Sequence, residues 1–118
     1  RRGAPLTELV VVESSGPLCL VLKGRLDAAG TEQVEAAFAA RIRAASSHAM
    51  IDMRAVSFVG SLGLRMLVAA ARAADRAGRK MVIFGVQAPV AEVFSTTALD
   101  ELIPVLPDEA TARGQIGG

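Results

Sequence analysis

The chain has 118 residues, of which 52% are hydrophobic, and its 13 basic and 12 acidic side chains leave a formal net charge of +1. This length fits a single domain over residues 1–118 with one buried core. The balanced charge and the absence of Tyr and Trp argue against binding to nucleic acid. No apolar run approaches the roughly 18 residues of a membrane-spanning helix, so we expect no direct membrane insertion. A single cysteine, Cys19, cannot form an internal disulfide and indicates a reducing, cytoplasmic setting.

The first part of the chain predicts a β-hairpin followed by a helix. Two aliphatic runs, residues 7–13 and 18–23, are separated by the turn-forming sequence SSGP. The sequence GRLDAAG at residues 24–30 predicts a loop between glycines. From residue 31 to 45 the apolar residues recur at helical spacing, with Thr31 as the expected N-cap.

The middle of the chain predicts two strands with a helix between them. Residues 48–53 are short and largely apolar, as a strand requires. The apolar spacing that follows Ser61 predicts a helix, and Gly78 lies where a C′ glycine would end it. Residues 80–86 are almost wholly apolar, which is typical of a parallel strand covered on both faces.

The last part predicts a short helix, an edge strand and a terminal helix. Pro89 suits the first turn of a helix that runs to about residue 96. Residues 102–106 predict an edge strand because Pro104 would interrupt a central one, and residues 107–113 predict the last helix. The element order ββαβαβαβα therefore predicts an α/β fold, a mixed four- to five-stranded sheet with helices packed against it.

The residues that enzymes use for catalysis are scarce in this sequence. The only histidine, His48, begins a predicted strand, and Cys19 lies inside another. These two side chains cannot form an ordinary zinc site, and neither a phosphate-binding loop nor a nucleophile elbow is present. We expect no catalytic residue, no metal and no cofactor, and therefore no enzyme.

One serine stands out at the start of the second predicted helix. Ser61 lies between Gly60 and Gly63, and two interpretations of it remain open. It serves as a helix cap, which serine favours, or it displays its hydroxyl for modification, since a helix N-terminus accommodates a phosphate. Arg65, one turn further on, and Arg54, before the loop, are candidate partners of an added anion.

The sequence IDMRAVSFVGSLGLRML resembles the signature of STAS domains, in particular that of bacterial anti-sigma factor antagonists. The upstream sequence GRLD is similar to the Gly-Glu-Leu-Asp stretch of that family, and the resemblance covers about residues 6–113. It implies a STAS-like fold. The positions that match the signature are Asp52, Val56, Ser57, Phe58, Ser61, Gly63 and Leu64.

The resemblance also implies a function. Such antagonists bind an anti-sigma factor that is also a serine kinase, and so release a sigma factor; phosphorylation by the kinase ends the binding, and a phosphatase reverses it. The phosphorylated residue would be Ser61. The sequence departs from the family at three positions: Gly60 stands where Asp is usual, Leu62 where Ser or Thr is usual, and Arg25 where Glu is usual. The expected partner-binding residues are Arg25, Asp27, Arg54, Ser57, Phe58, Val59, Gly60, Leu62 and Arg65.

The sequence leaves two other functions open. The chain could be a STAS subunit or domain of a membrane transporter, including an ABC-type lipid transporter, in which Ser61 is a docking or capping residue without phosphate. Alternatively, the apolar Phe58, Val59 and Leu62 could line a shallow pocket for a small ligand. Asp27 and Asp52 also have a structural interpretation as cap or loop-binding carboxylates.

Overall fold

The computed structural model describes residues 6–12 and 16–117, so part of the turn predicted at residues 14–17 lies outside the described residues. The described chain forms a five-stranded sheet and five helices. Their order is β1 (Glu8–Val12), β2 (Leu18–Leu26), α1 (Ala28–Ala44), β3 (Ala49–Val59), α2 (Ser61–Arg76), β4 (Met81–Phe84), α3 (Ala88–Thr96), α4 (Leu99–Leu102), β5 (Val105–Leu106) and α5 (Glu109–Gln115).

The strands lie side by side in the same order as in the sequence. β1 pairs with β2 in antiparallel orientation, and β2, β3, β4 and β5 pair in parallel. The helices between the parallel strands are the crossovers that parallel pairing demands. The mixed sheet with packed helices that the sequence predicts is confirmed.

Successive strand residues point to opposite sides of the sheet, and in β4 and the first half of β3 both sets are buried. Ile51 and Ile83 join the larger core with helices α1, α2 and α3, whereas their neighbours Met50 and Val82 pack against Ile116 beyond α5. This two-sided burial explains why β4 is apolar throughout.

Strands β2 and β3 are both longer than the sequence predicts. The expected ends were residues 23 and 53, but the parallel ladder continues until Leu26 pairs with Val59. The register shifts at two points along this ladder, and Gly24 adopts a positive φ of 101° there. Residues 24–30 were expected to form a loop because they include glycines and polar residues. Residues 24–26 instead continue β2, with irregular pairing at Gly24. The two strand ends therefore extend past the end of β4 at Phe84.

Helix α1 begins earlier than predicted. Its N-cap is Asp27, whose Oδ1 accepts a hydrogen bond of 2.8 Å from the backbone N–H of Gly30. The expected cap, Thr31, is instead a buried residue of the first turns, so that prediction is wrong. The structural interpretation of Asp27 as a cap is confirmed, and Asp ranks above Thr at the N-cap.

The strands predicted at residues 80–86 and 102–106 are shorter in the structure: β4 is Met81–Phe84, and β5 is only Val105–Leu106, because residue 102 ends helix α4. Helix α2 begins at Ser61, and Gly78 with φ 74° follows its end. Helix α3 has Pro in its first turn. Helix α4 was not predicted; its N-cap is Ala98, which adopts a left-handed φ of 61° that few non-glycine residues favour.

Candidate functional site

The candidate site lies where the long strands β2 and β3 end and helix α2 begins. The backbone N–H of Gly60 donates to the carbonyl of Leu26 at 2.9 Å, which ties the β3–α2 junction to the end of β2. A Cβ on Gly63 would lie 2.9 Å from the Leu26 Cβ and 3.1 Å from the Val59 Cγ1. Glycine at this position lets the first turn of α2 lie directly on the two strand ends.

Ser61 is the first residue of α2 and is exposed. The N-cap is Gly60, in extended backbone conformation, and no side chain caps the helix. Within residues 6–12 and 16–117, no group forms a hydrogen bond with the Ser61 hydroxyl. The capping interpretation of Ser61 is therefore not what the structure shows. The hydroxyl lies at the positively polarised end of a helix whose first N–H groups lack intrahelical partners.

Two apolar side chains flank this helix tip. Phe58 is 37% exposed and Leu62 is 40% exposed, although large apolar residues are usually buried. Aromatic side chains are enriched in protein–protein contact surfaces. Both side chains are exposed in the same segment as Ser61.

Arg25 covers one face of the Phe58 ring. Its guanidinium carbon lies 4.5 Å from the ring centroid, within cation–π range, because residues 25 and 58 are partners in the β2–β3 ladder. Arg25 Nε also lies 3.4 Å from Asp27 Oδ2. The hydrogen bond from Gly30 N–H, together with Arg25, lowers the pKa of Asp27 below its ordinary value, so this carboxylate is ionised at neutral pH. The sequence could not reveal the Arg25–Phe58 contact, because it depends on the two register shifts.

Arg54 is held in a separate cluster. Its NH2 group lies 2.7 Å from Asp52 Oδ2, its Nε lies 3.1 Å from Asp52 Oδ1, and its guanidinium lies 5.4 Å from the centroid of the Phe84 ring. Burial alone raises the pKa of Asp52, but the hydrogen bonds from Arg54 outweigh it and lower that pKa below its ordinary value. Asp52 Oδ1 also accepts from the Arg54 N–H at 3.0 Å, but Asp52 and Arg54 both lie within β3, so the interpretation of Asp52 as a strand-end carboxylate that binds a following loop is wrong. Arg54 is therefore engaged by Asp52 rather than unpaired beside Ser61.

The other expected contact residues divide by exposure. Ser57 and Arg65 are exposed, and Arg65 lies one helical turn from Ser61. Val59 is only 2% exposed and belongs to the core. This burial removes Val59 from the expected contact surface and from the small-ligand pocket considered above.

The described residues lack both a cluster of metal ligands and a membrane-spanning helix. Residues 6–12 and 16–117 contain no group of three or more His, Cys, Asp or Glu side chains placed to hold a metal ion. In the same part of the chain, no helix combines the length and hydrophobicity that crossing a membrane requires. His48 has a structural contact, since its Nδ1 accepts a hydrogen bond from the Lys80 N–H at 3.0 Å.

Comparison with known proteins identifies the family. The sequence model of the STAS domain matches residues 8–112, which is most of the chain. The chain belongs to the STAS domain family. The match contains every element from β1 to β5 and the whole of the surface around Ser61, so the resemblance seen in the sequence is confirmed.

This STAS domain is similar to several anti-sigma factor antagonists. It is 26% identical over 98 residues to BtrV of Bordetella bronchiseptica, a candidate anti-sigma factor antagonist, covering 83% of this chain and 84% of BtrV. The solved structure of an anti-sigma-factor antagonist (STAS) domain protein from Planctomyces limnophilus superposes with a TM-score of 0.82 at 20% identity, covering 93% of this chain and 98% of that one. Phosphorylated SpoIIAA, a Bacillus cell fate determinant, superposes with a TM-score of 0.67 at 18% identity, covering 93% and 98%. The two solved structures share the fold of this domain.

Proposed function

We propose that this STAS domain is an anti-sigma factor antagonist that works by partner switching in the cytoplasm. In its unmodified form it binds an anti-sigma factor that is also a serine kinase, and the sigma factor held by that kinase is released. The domain itself acts through binding and not through catalysis. The similarity to BtrV, a candidate anti-sigma factor antagonist, over 83% of this chain supports the proposal.

The observation that carries the proposal is the placement of Ser61. Its hydroxyl is exposed at the tip of α2, has no hydrogen-bond partner in the described chain and lies between the exposed Phe58 and Leu62. A kinase reaches such a hydroxyl without unfolding the protein, and a partner covers it when it docks on the two apolar side chains. Ser61 is therefore the proposed switch, within the contact surface formed by Arg25, Asp27, Ser57, Phe58, Gly60, Leu62 and Arg65.

Phosphorylation of Ser61 would change this surface sharply. The kinase transfers the terminal phosphoryl group of ATP to the Ser61 oxygen, ADP leaves, and a base of the kinase takes the hydroxyl proton. The phosphate adds a charge of about −1.5 to −2 at neutral pH. The free N–H groups of α2 and the side chain of Arg65 stabilise it within the domain, whereas an apolar partner surface would have to bury it unpaired. Binding then ends until a phosphatase removes the group.

Gly60 is the feature that favours a second function. The anti-sigma factor antagonists that this sequence resembles usually have Asp directly before the serine. Because Gly60 stands there, Ser61 has no acidic neighbour and α2 has no side-chain cap. A STAS subunit or domain of a membrane transporter needs no phosphate on this serine and would use the same surface for docking only. Co-purification with a transporter ATPase or permease, rather than with a soluble kinase, would favour this function.

Mass spectrometry of the intact chain tests the proposed modification. The domain is incubated with ATP and each purified anti-sigma factor kinase of its source genome, and we expect one phosphoryl group on the wild type, none on Ser61→Ala and one on Ser57→Ala. Ser57 is the matched control because it is a second exposed serine on the same surface. An unmodified wild type with every kinase, or a phosphate that persists in Ser61→Ala, would contradict phosphorylation of Ser61.

A further inference from the structure

The exposed side of helix α2 carries a row of arginines that continues from the Ser61 surface. The exposed residues Arg65, Ala69, Arg72 and Arg76 follow Ser61 at spacings of four, four, three and four. At 100° per residue these positions fall on one side of the helix, opposite its buried residues Gly63, Met66, Leu67, Ala70 and Ala74. We call this row, from Ser61 to Arg76, the arginine face; it is about 22 Å long at 1.5 Å per residue.

The charges of the arginine face are not balanced within the domain. Residues 61–74 contain no Asp or Glu, and Asp75 is the one acidic residue of α2. Within the described chain none of the three arginines forms an ion pair. Other arginines there do pair with carboxylates, namely Arg25, Arg54 and Arg113.

The sequence around α2 shows the same separation of charge. Residues 61–80 contain five basic and one acidic side chain, whereas residues 81–112 contain five acidic side chains and no basic one. Arg72 and Arg76 are four residues apart on one face, an arrangement of like charges that destabilises a helix. Arg76 lies in the last turn of α2, where the helix dipole favours a basic side chain, but the dipole gives no such explanation for Arg65 and Arg72.

We infer that the arginine face binds an acidic surface of the anti-sigma factor kinase, next to the contact at Ser61. This inference rests on the proposed function and names the chemistry of the partner. Positive charge on one side of a contact accelerates association with a negative surface and orients the partners. The short side chain of Ala69 leaves the middle of the face open, so that a helix or strand can approach the backbone of α2.

The arginine face also connects binding to the switch. Arg65 lies one turn from Ser61, where a phosphate on the serine oxygen can pair with it. A phosphorylated Ser61 would therefore compete with acidic side chains of the kinase for Arg65. The modification weakens the apolar contact and the charged contact at the same time.

The test measures association of the domain with the anti-sigma factor kinase used above, as a function of salt concentration. We expect Arg72→Glu to slow association by about tenfold at low salt and to flatten its salt dependence, because one attractive charge becomes repulsive. Arg43→Glu is the matched control, since it makes the same charge change at an exposed position on α1, and we expect it to stay within about twofold of the wild type. Circular dichroism verifies that both variants are folded.

The alternative outcomes are distinct. Association that responds equally to Arg72→Glu and Arg43→Glu, or to neither, overturns the arginine face while the proposed function stands. A wild type that binds no anti-sigma factor kinase overturns both. If Arg72→Glu instead abolishes binding to phosphatidylserine vesicles, or abolishes self-association of the domain, and leaves kinase binding unchanged, the face belongs to a membrane or to a second copy.

Discussion

At the scale of single residues, the electrostatics of the domain depend on a few short contacts. The Asp52 side chain is only 7% exposed, and its charge is compensated by Arg54, whose own side chain is 63% exposed. A buried carboxylate costs free energy unless hydrogen bonds satisfy its oxygens, and Arg54 supplies three of them through its backbone and side chain. The pair therefore stabilises the end of the regular part of β3, close to the first register shift.

We expect Asp52→Asn to lower the free energy of unfolding by about 1–3 kcal/mol at neutral pH. The pKa of Asp52 is lower in the folded domain than its ordinary value of 3.8, so its stabilisation is present above about pH 4 and is lost as the pH falls through the folded pKa. Urea unfolding at several pH values measures this, with Glu35→Gln on the exposed side of α1 as the control. A difference between wild type and Asp52→Asn that does not shrink below pH 4 would rule out the ion pair as its cause.

Thr31, unlike Asp52, buries a polar atom whose hydrogen-bonding capacity is not satisfied, and this lowers the stability of the domain. The residue is only 2% exposed, and its buried hydroxyl has no hydrogen-bond partner in the described chain. Thr31→Val keeps the shape and removes the polar atom, so we expect a gain of about 1 kcal/mol in the free energy of unfolding. Thr97→Val is the control, because Thr97 Oγ1 donates to the Val93 carbonyl at 2.7 Å and its loss should not stabilise. Equal effects of the two substitutions in thermal unfolding would argue against this explanation.

At the scale of elements, the position of α2 depends on how closely its first turn approaches the strand ends. Gly63 contacts Leu26 and Val59, and the Gly60 N–H is bound to the Leu26 carbonyl. These contacts fix where the helix tip, and therefore Ser61, lies relative to Phe58. Helix propensity would favour Ala over Gly inside this helix, so the glycine is explained by packing.

Gly63→Ala should destabilise the domain by about 1–2 kcal/mol, because the steric cost exceeds the gain of about 1 kcal/mol in helix propensity. Gly114→Ala is the matched control: a Cβ on Gly114, which lies in α5, meets nothing within 4 Å. There we expect stability to rise by up to about 1 kcal/mol. Denaturant unfolding of both variants decides the question, and a stabilising Gly63→Ala would mean that the approach of α2 to Leu26 is looser than described.

The elements also show which parts of the fold the sequence can predict. The order of strands, the start of α2 at Ser61 and its end before Gly78 follow from local signals of periodicity and capping. The extensions of β2 to Leu26 and of β3 to Val59 do not, because they depend on pairing between residues more than 30 positions apart. A local pattern contains no information about such irregular pairing, and the same limit applies to the Arg25–Phe58 contact of the site.

At the scale of the whole molecule, the parallel sheet brings the residues of the candidate site together at one end. The carboxyl ends of β2 and β3 place Arg25 and Phe58 beside the tip of α2, where Ser61 begins the helix. The candidate serine and most of its neighbours could be identified from the sequence, because the family signature is local. The burial of Val59 and the engagement of Arg54 by Asp52 required the three-dimensional structure.

The affinity of the anti-sigma factor kinase for three forms of the domain tests the central claim most directly. The claim predicts that the wild type and Ser61→Ala bind with similar dissociation constants, and that Ser61→Asp binds about tenfold more weakly or worse because a charge is placed within the contact. All three forms should unfold at similar temperatures, since Ser61 is exposed and its hydroxyl has no hydrogen-bond partner within residues 6–12 and 16–117. Equal affinities for the wild type and Ser61→Asp would contradict a switch at this residue.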